Sequence, residues 1–326
     1  MQDEKTVDWL LNDNGAAVRH LTLRWLLNEP EDAPEVRKAR NEAHQEPPIA
    51  RILSVMEPEG YWVKPGSGYS PKYKSTVWAL IALAQSGADA REDDRICKAI
   101  DYFLDHARFP YSPNDYCADR TDTIDCLVGN MCWSLKQLGC KDPRLDGAYE
   151  WMALSQTEAG YPRVVAPKGA KTGPCWSCQI NGDKPCTWAA VKTLMAFGQI
   201  LEDKRSPAVR EAVVLGAELL LNSDPTEANW PSGNNKVSEK WFKLAHPLFY
   251  SADLLQLTEA LISTGFSKDK RMQPLRNWLV SKQLPDGTWP LKHSERDRMW
   301  VSYGPTGKAN PWITLRALRA LRQLES

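Results

Sequence analysis

The chain has 326 residues, enough for one large domain or two ordinary ones. Its 41 Lys and Arg balance its 41 Asp and Glu, which excludes a net field that would draw nucleic acid or an anionic membrane. No run approaches the ~20 apolar residues that span a bilayer, and the acidic start "MQDEKTVDWLLNDN" is no signal peptide, so a cytoplasmic protein with mostly reduced thiols is expected.

Residues 1–50 read as a helical cap. "VDWLLNDNGAAVRHLTLRWLLNEP" has the apolar spacing of a helical hairpin, through Trp9, Leu10, Val18, Leu21, Leu23, Leu26 and Leu27. Pro30, Pro34, Pro47 and Pro48 then interrupt it. From 51 to 326 the chain repeats a pattern of about five helical hairpins. Each has a turn ending in an aromatic residue: "MEPEGYW" (56–62), "LSQTEAGYP" (154–162), "LNSDPTEANWP" (221–231) and "VSKQLPDGTWP" (280–290), with a degenerate "LDHARFPYSP" at 104–113.

An apolar helix is predicted after each turn. The five are Ser75–Ser86, Cys126–Leu138, Cys186–Phe197, Pro247–Thr264 and Pro311–Leu324. The first four end at Gly87, Gly139, Gly198 and Gly265, where helix C-caps are expected. More polar helices lie between them, such as Ser206–Leu221 and Lys270–Lys282, and no segment has strand periodicity. Two helix classes predict an all-α fold of two concentric layers, an apolar inner ring inside an amphipathic outer one. The inner helices would then run parallel. Their N-termini would share a face with the long loops 63–74, 106–125, 161–185, 224–246 and 290–310, forming a binding mouth.

"SKQLPDGTWP" and "EPEGYW" resemble the Gln-Trp repeats of the terpenoid cyclase and protein prenyltransferase superfamily, which includes squalene–hopene cyclase. More narrowly, the chain is similar to bacterial proteins carrying prenyltransferase/squalene oxidase repeats. Further matching stretches are "YSPKYKSTVWALIALAQSGAD", "CLVGNMCWSL", "NGDKPCTWAAVKTL", "HPLFYSADLL" and "PWITLRALRALR", so the likeness covers residues 7–326. It implies an α/α toroid whose central cavity binds isoprenoids. The layer argument reaches that architecture independently.

The Asp-x-Asp-Asp acid of such cyclases is absent. The nearest cluster is Asp119, Asp122 and Asp125, spaced to share one side of a helix start. Clustered carboxyls raise one another's pKa and could act as a general acid; equally, acids at a helix N-terminus are stabilised by its dipole. Zinc prenyltransferases use Asp-x-Cys and a later His. Asp125–Cys126 lacks the intervening residue, Asp115-x-Cys117 lies in a loop, and His246 precedes the fourth inner helix. These departures argue against protein prenylation.

Cys126 and Cys186 each open an inner helix, where a thiol tends towards thiolate. Cys175 and Cys178 form a Cys-x-x-Cys pair in the loop leading to Cys186. Convergence of these thiols would suit Zn²⁺, with packing, a disulfide and redox chemistry as alternatives. The resemblance favours Cys126, Cys178 and Cys186 as ligands, with Cys175 as a fourth or a flanking residue. Cys97, Cys132 and Cys140 read as packing.

Trp78, Trp188, Tyr250 and Trp312 fall in first turns of inner helices and could line an aromatic pocket for a small apolar molecule, or pack as ordinary core. Lys74, Asp253 and Arg316 are charges on otherwise apolar helices, so each is paired, functional or snorkelled to a rim. The chain has no P-loop, Gly-x-Gly-x-x-Gly, Gly-x-Ser-x-Gly or His-Glu-x-x-His, so no nucleotide cofactor is expected. The expected function is an enzyme acting on a small apolar, isoprenoid-like substrate, by cyclisation, isomerisation or hydrolysis. Asp122, Asp125, Asp253 and Lys74 are the candidate catalytic groups. The alternatives are a non-catalytic binding protein with structural zinc, and a metal-free acid cyclase or isomerase using Asp119, Asp122 and Asp125.

Overall fold

The structure, a computed structural model, describes residues 2–106, 125–157, 172–173 and 175–325. Asp115, Cys117, Asp119 and Asp122 lie outside the described residues. The fold is all-α. Thirteen α-helices are described, and none is long and apolar enough to cross a membrane.

The N-terminal segment forms α1 (Gln2–Asn12), α2 (Gly15–Trp25), α3 (Pro34–Gln45) and α4 (Ile49–Leu53). Then come α5 (Thr76–Gln85), α6 (Asp94–His106), α7 (Asp125–Gln137), α8 (Arg144–Leu154), α9 (Thr187–Phe197), α10 (Pro207–Leu221), α11 (Leu254–Thr264), α12 (Gln273–Ser281) and α13 (Pro311–Glu325).

Two helix classes are present, as the patterning implies. α5 buries every residue from Thr76 to Ala84. α12 buries only Leu275 and Leu279, one stripe of an otherwise wet helix. The apolar helices pack in succession, α5 on α7, α7 on α9, α9 on α11 and α11 on α13, while α13 also meets α2. The intervening helices lie against them: α6 on α5, α8 on α7, α10 on α9, and α12 on α11 and α13. Arg322 of α13 donates to the Leu26 carbonyl at 2.8 Å, and the apolar faces of α1 and α2 merge into the same core.

The repeat turns carry one device twice. Trp62 and Trp289 end their turns, and both are fully buried. Each indole donates to a carbonyl ten residues earlier, Ile52 and Leu279, at 2.8 Å. Each backbone N–H donates to a threonine hydroxyl of the next apolar helix, Thr76 at 3.2 Å and Thr314 at 2.9 Å. One tryptophan thereby ties the helix before its turn to the apolar helix after it.

Two expectations are corrected, and one, the C-cap at Gly198, holds with a refinement. The fourth apolar helix begins at Leu254, not Pro247, because Asp253 caps it: Oδ1 accepts from the Gln256 N–H at 2.8 Å. Gly198 does not reverse the chain in the left-handed region as Gly87, Gly139 and Gly265 do. It is needed for close approach, since a Cβ there would sit 2.6 Å from Cβ of Ser263. Lastly, three two-residue strands, β1 (Thr172–Gly173), β2 (Ser177–Cys178) and β3 (Lys184–Pro185), form an antiparallel sheet in order β1-β2-β3. They are too short to show a period of two.

Candidate functional site

Gly129 is the reason α7 and α9 lie close. A Cβ on it would meet the Lys192 carbonyl carbon at 2.6 Å, so only glycine admits this contact. The first turns of the two helices are thereby brought together, and with them Asp125, Cys126 and Cys186.

The "CWSC" stretch completes the cluster. Cys175 and Trp176 both take left-handed backbone angles, φ 53° and 57°, an uncommon pair for residues with side chains. The kink drives Trp176 into the core, where its Nε1 donates to Thr193 Oγ1 at 2.9 Å and its carbonyl accepts from the Cys186 N–H at 2.8 Å. Cys178, two residues on, turns inward beside Cys186. Cys175 turns out: it is exposed, and its sulfur lies 3.9 Å from the Gln156 carbonyl.

The charges inside this cluster are unusual. The Cys186 thiol beside Cys178 pulls Cys178 down to about 6, against its burial and with help from backbone N–H groups of the following turn. Cys186 moves up, because it keeps the shared proton and is itself buried. Burial pushes Cys126 up to about 12, Asp125 and Cys178 adding to it while Lys192 opposes. Asp125 is 1% exposed, with no hydrogen-bond partner of good geometry on either oxygen. Burial pushes it up to about 7, opposed by the Gln156 side chain and reinforced by Cys178. Near neutral pH the pair therefore favours the thiolate on Cys178 and the proton on Cys186, with Cys126 a thiol and Asp125 in the middle of its titration.

Cys186 is also the link to solvent. It lines a groove of about 730 Å³ whose walls include Trp188, Trp230 and Trp241. The Trp230 and Trp241 rings lie 4.7 Å apart, and Trp188 sits 6.1 Å from Trp241. The indole N–H groups of Trp188 and Trp230 are buried without a partner. Asn181 closes one side, donating to the Pro231 carbonyl at 3.2 Å and accepting from the Gly233 N–H at 3.0 Å.

The other candidate residues scatter. Trp78 is fully buried among Tyr69, Tyr73, Phe249 and Tyr250, donating from Nε1 to the Tyr69 carbonyl at 2.7 Å. Tyr250 touches the Tyr69 hydroxyl, and Lys72 lies over its ring at 4.9 Å. Lys74 sits over the Trp300 ring at 5.2 Å. Asp253 spends its oxygens on backbone, Oδ2 accepting from Ala245 at 2.8 Å and Oδ1 from Gln256. Arg316 is paired with Glu259, at 2.5 Å from Nη2. Trp312 stacks on His246, 4.9 Å between centroids and 8° between planes.

Three site residues escaped the sequence reading. Trp230 and Trp241 were absorbed into a repeat turn and a long loop, though both are aromatics in a segment otherwise polar. Lys192 is a lone lysine in "TWAAVKTLMAF", a stronger anomaly than Lys74, and it is 1% exposed.

Among the described residues no group of three or more His, Cys, Asp or Glu side chains is placed to hold a metal ion. No family model and no curated protein matches the chain. A solved structure described only as a protein from Actinoplanes is similar over 89% of this chain and 99% of its own, at 14% identity and a TM-score of 0.34. That score is too low to carry an argument.

Proposed function

We propose that this protein is an enzyme that moves protons on a small, largely apolar molecule bound in the tryptophan-lined groove. One observation carries the reading: Cys186 both lines the groove and shares a proton with the Cys178 thiolate behind it. At rest the proton sits on Cys186, so the bound ligand would have to draw it across to Cys178 to leave a thiolate facing the groove, the activation that paired nucleophile and base side chains provide. The two unpartnered indole N–H groups suit a ligand oxygen, which they would hold while charge develops on it. The Cys186 thiolate would take a proton from the carbon next to that carbonyl and return it two carbons along. The double bond shifts, and the thiols end as they began.

This reading places the fold with the α/α toroids, supported by the succession of α5, α7, α9, α11 and α13 under a second set of helices. Isoprenoid-like unsaturated ketones would lay their apolar part on the three indoles, among polar neighbours such as Gln179, Asn181 and Lys236. The test is deuterium incorporation from D₂O into a panel of small isoprenoid ketones, read by mass spectrometry. Incorporation well above the uncatalysed rate, abolished in Cys186→Ser and Cys178→Ser, is the expected result. Incorporation that survives both substitutions, or none with any ketone, sinks it.

A second reading is favoured by Asp125, whose two buried oxygens have no well-placed hydrogen-bond partner among the described residues and which acts on Cys126 and is acted on by Cys178. Thiols with one carboxylate suit zinc, and Cys126, Cys178, Cys186 and Asp125 would be its ligands after small side-chain movements. Zinc bound there would hold the thiols ionised and polarise a ligand oxygen. Elemental analysis of protein purified without added metal decides this: about one zinc per chain supports it, and less than about 0.2 rejects it.

A further inference from the structure

At the other ends of α7 and α9, far along the chain from the thiols, lies a second cavity of about 470 Å³. It is lined by the last turns of α2, α5, α7 and α9 together with faces of α11 and α13. Its charges do not balance. Glu259 is the one carboxylate among its lining residues, against Arg316, Arg319 and Lys136. Arg316 consumes that carboxylate, with contacts at 2.9, 3.2 and 2.5 Å, and spends its remaining nitrogen on the Ala245 carbonyl.

Arg319 is left over. Its guanidinium lies over the Trp25 ring at 4.6 Å, and among the described residues it makes no ion pair and no hydrogen bond. It is half-buried, and a cation drawn partly out of water gains from a direct charged partner. Lys136 is exposed at the rim and keeps its water. Among the described residues Arg319 is thus the cavity-lining arginine without a direct ion pair, with Glu259 acting on it only at longer range.

The remaining surface is flat and apolar in part, from Trp25, Trp133 and Trp312. His246 adds an unspent polar edge. It is 1% exposed, lines the cavity, and has no partner on either ring nitrogen. Burial and Arg316 keep the ring neutral, so it offers one donor and one acceptor.

We infer that this cavity is a binding site for a small organic acid with a flat apolar body and a single carboxylate. The carboxylate would pair with Arg319 in the two-pronged geometry a guanidinium favours, with the body against the indoles and a polar substituent at His246. A single carboxylate would give Arg319 the direct ion pair it lacks among the described residues. The site is separate from the thiol cluster, which lies at the opposite ends of the same helices.

Isothermal titration of the full chain with benzoate tests this, with benzamide as the uncharged shape control. The expected results are a benzoate Kd below about 1 mM, at least about tenfold tighter than benzamide, and about a tenfold loss in Arg319→Gln. Arg319→Lys, which keeps the charge but loses the fork, should fall between. Cys178→Ser should bind benzoate as the native chain does, so failure at the thiol site leaves this result standing. Equal affinity for benzoate and benzamide, no loss in either Arg319 variant that retains the native circular dichroism, or no benzoate binding at all would overturn the assignment.

Discussion

The Nζ of Lys192 donates to Oε1 of Gln256 at 2.7 Å, joining α9 to α11 inside the core. The side chain is 1% exposed, and burial pulls its pKa from 10.5 down to about 7, against the opposing charge of Asp253. A lysine with one polar partner for three donors is an expensive choice for packing alone. It stands between Cys126 on one side and the Asp253–Arg316–Glu259 group on the other, and acts electrostatically on both.

Lys192 gives stability a defined pH dependence. Its folded pKa lies below its unfolded one, so the unfolded chain binds the extra proton between about 7 and 10.5. The contribution is fully present above about 10.5 and is lost as pH falls through about 7. Denaturant unfolding of Lys192→Met across this window should lack a rise on the order of a few kcal/mol that the native chain shows. Parallel pH curves for the two proteins would contradict the assignment.

The repeated tryptophan device should be energetically repeated. Trp62→Phe and Trp289→Phe each strand a buried carbonyl and should each cost about 1–3 kcal/mol in urea unfolding. The alanine variants should cost about 3–5 kcal/mol. A large loss at one site and none at the other would show that the two turns are not equivalent.

Gly129→Ala should act at a distance. The added methyl has no room against the Lys192 backbone, and should cost about 1–3 kcal/mol as α7 and α9 separate. Because the same contact sets Cys126 beside Cys186, thiol reactivity at Cys178 should change in this variant. Native stability and native reactivity together would show that the helices are not held by this contact.

Glu259 and Arg316 form a pair with little solvent. Glu259→Gln removes one partner and leaves a buried guanidinium, so a loss of about 3–5 kcal/mol is expected. The double variant Glu259→Leu/Arg316→Leu should recover most of it, read by thermal or urea unfolding. No recovery would mean that the pair is fixed by its hydrogen bonds to Ala245 as much as by charge.

Much of the architecture was legible in the residues. Trp62 and Trp289 end turns of matching sequence, and the buried run of α5 announces a covered helix. The start of α11 lies later than the periodicity suggests because "PLFY" extends the apolar run upstream of the true cap, Asp253, which reads equally as a charge on an apolar helix. The thiol cluster was legible in part: Cys126 and Cys186 open adjacent helices. Their relation to Cys178 needed the left-handed pair at Cys175 and Trp176, which no periodicity encodes. The tryptophan groove was out of reach because its walls come from three separate segments whose meeting is purely tertiary.

The thiolate behind the tryptophan-lined groove is tested most directly by N-ethylmaleimide labelling at pH 6.5, mapped to each cysteine by mass spectrometry. Cys97 is the internal reference, being exposed with its pKa raised by its surroundings. After removal of any metal with a chelator, the Cys178–Cys186 pair should label at least about tenfold faster than Cys97, and slower in Trp188→Ala. Rapid labelling of Cys97 with the Cys178–Cys186 pair silent would contradict it.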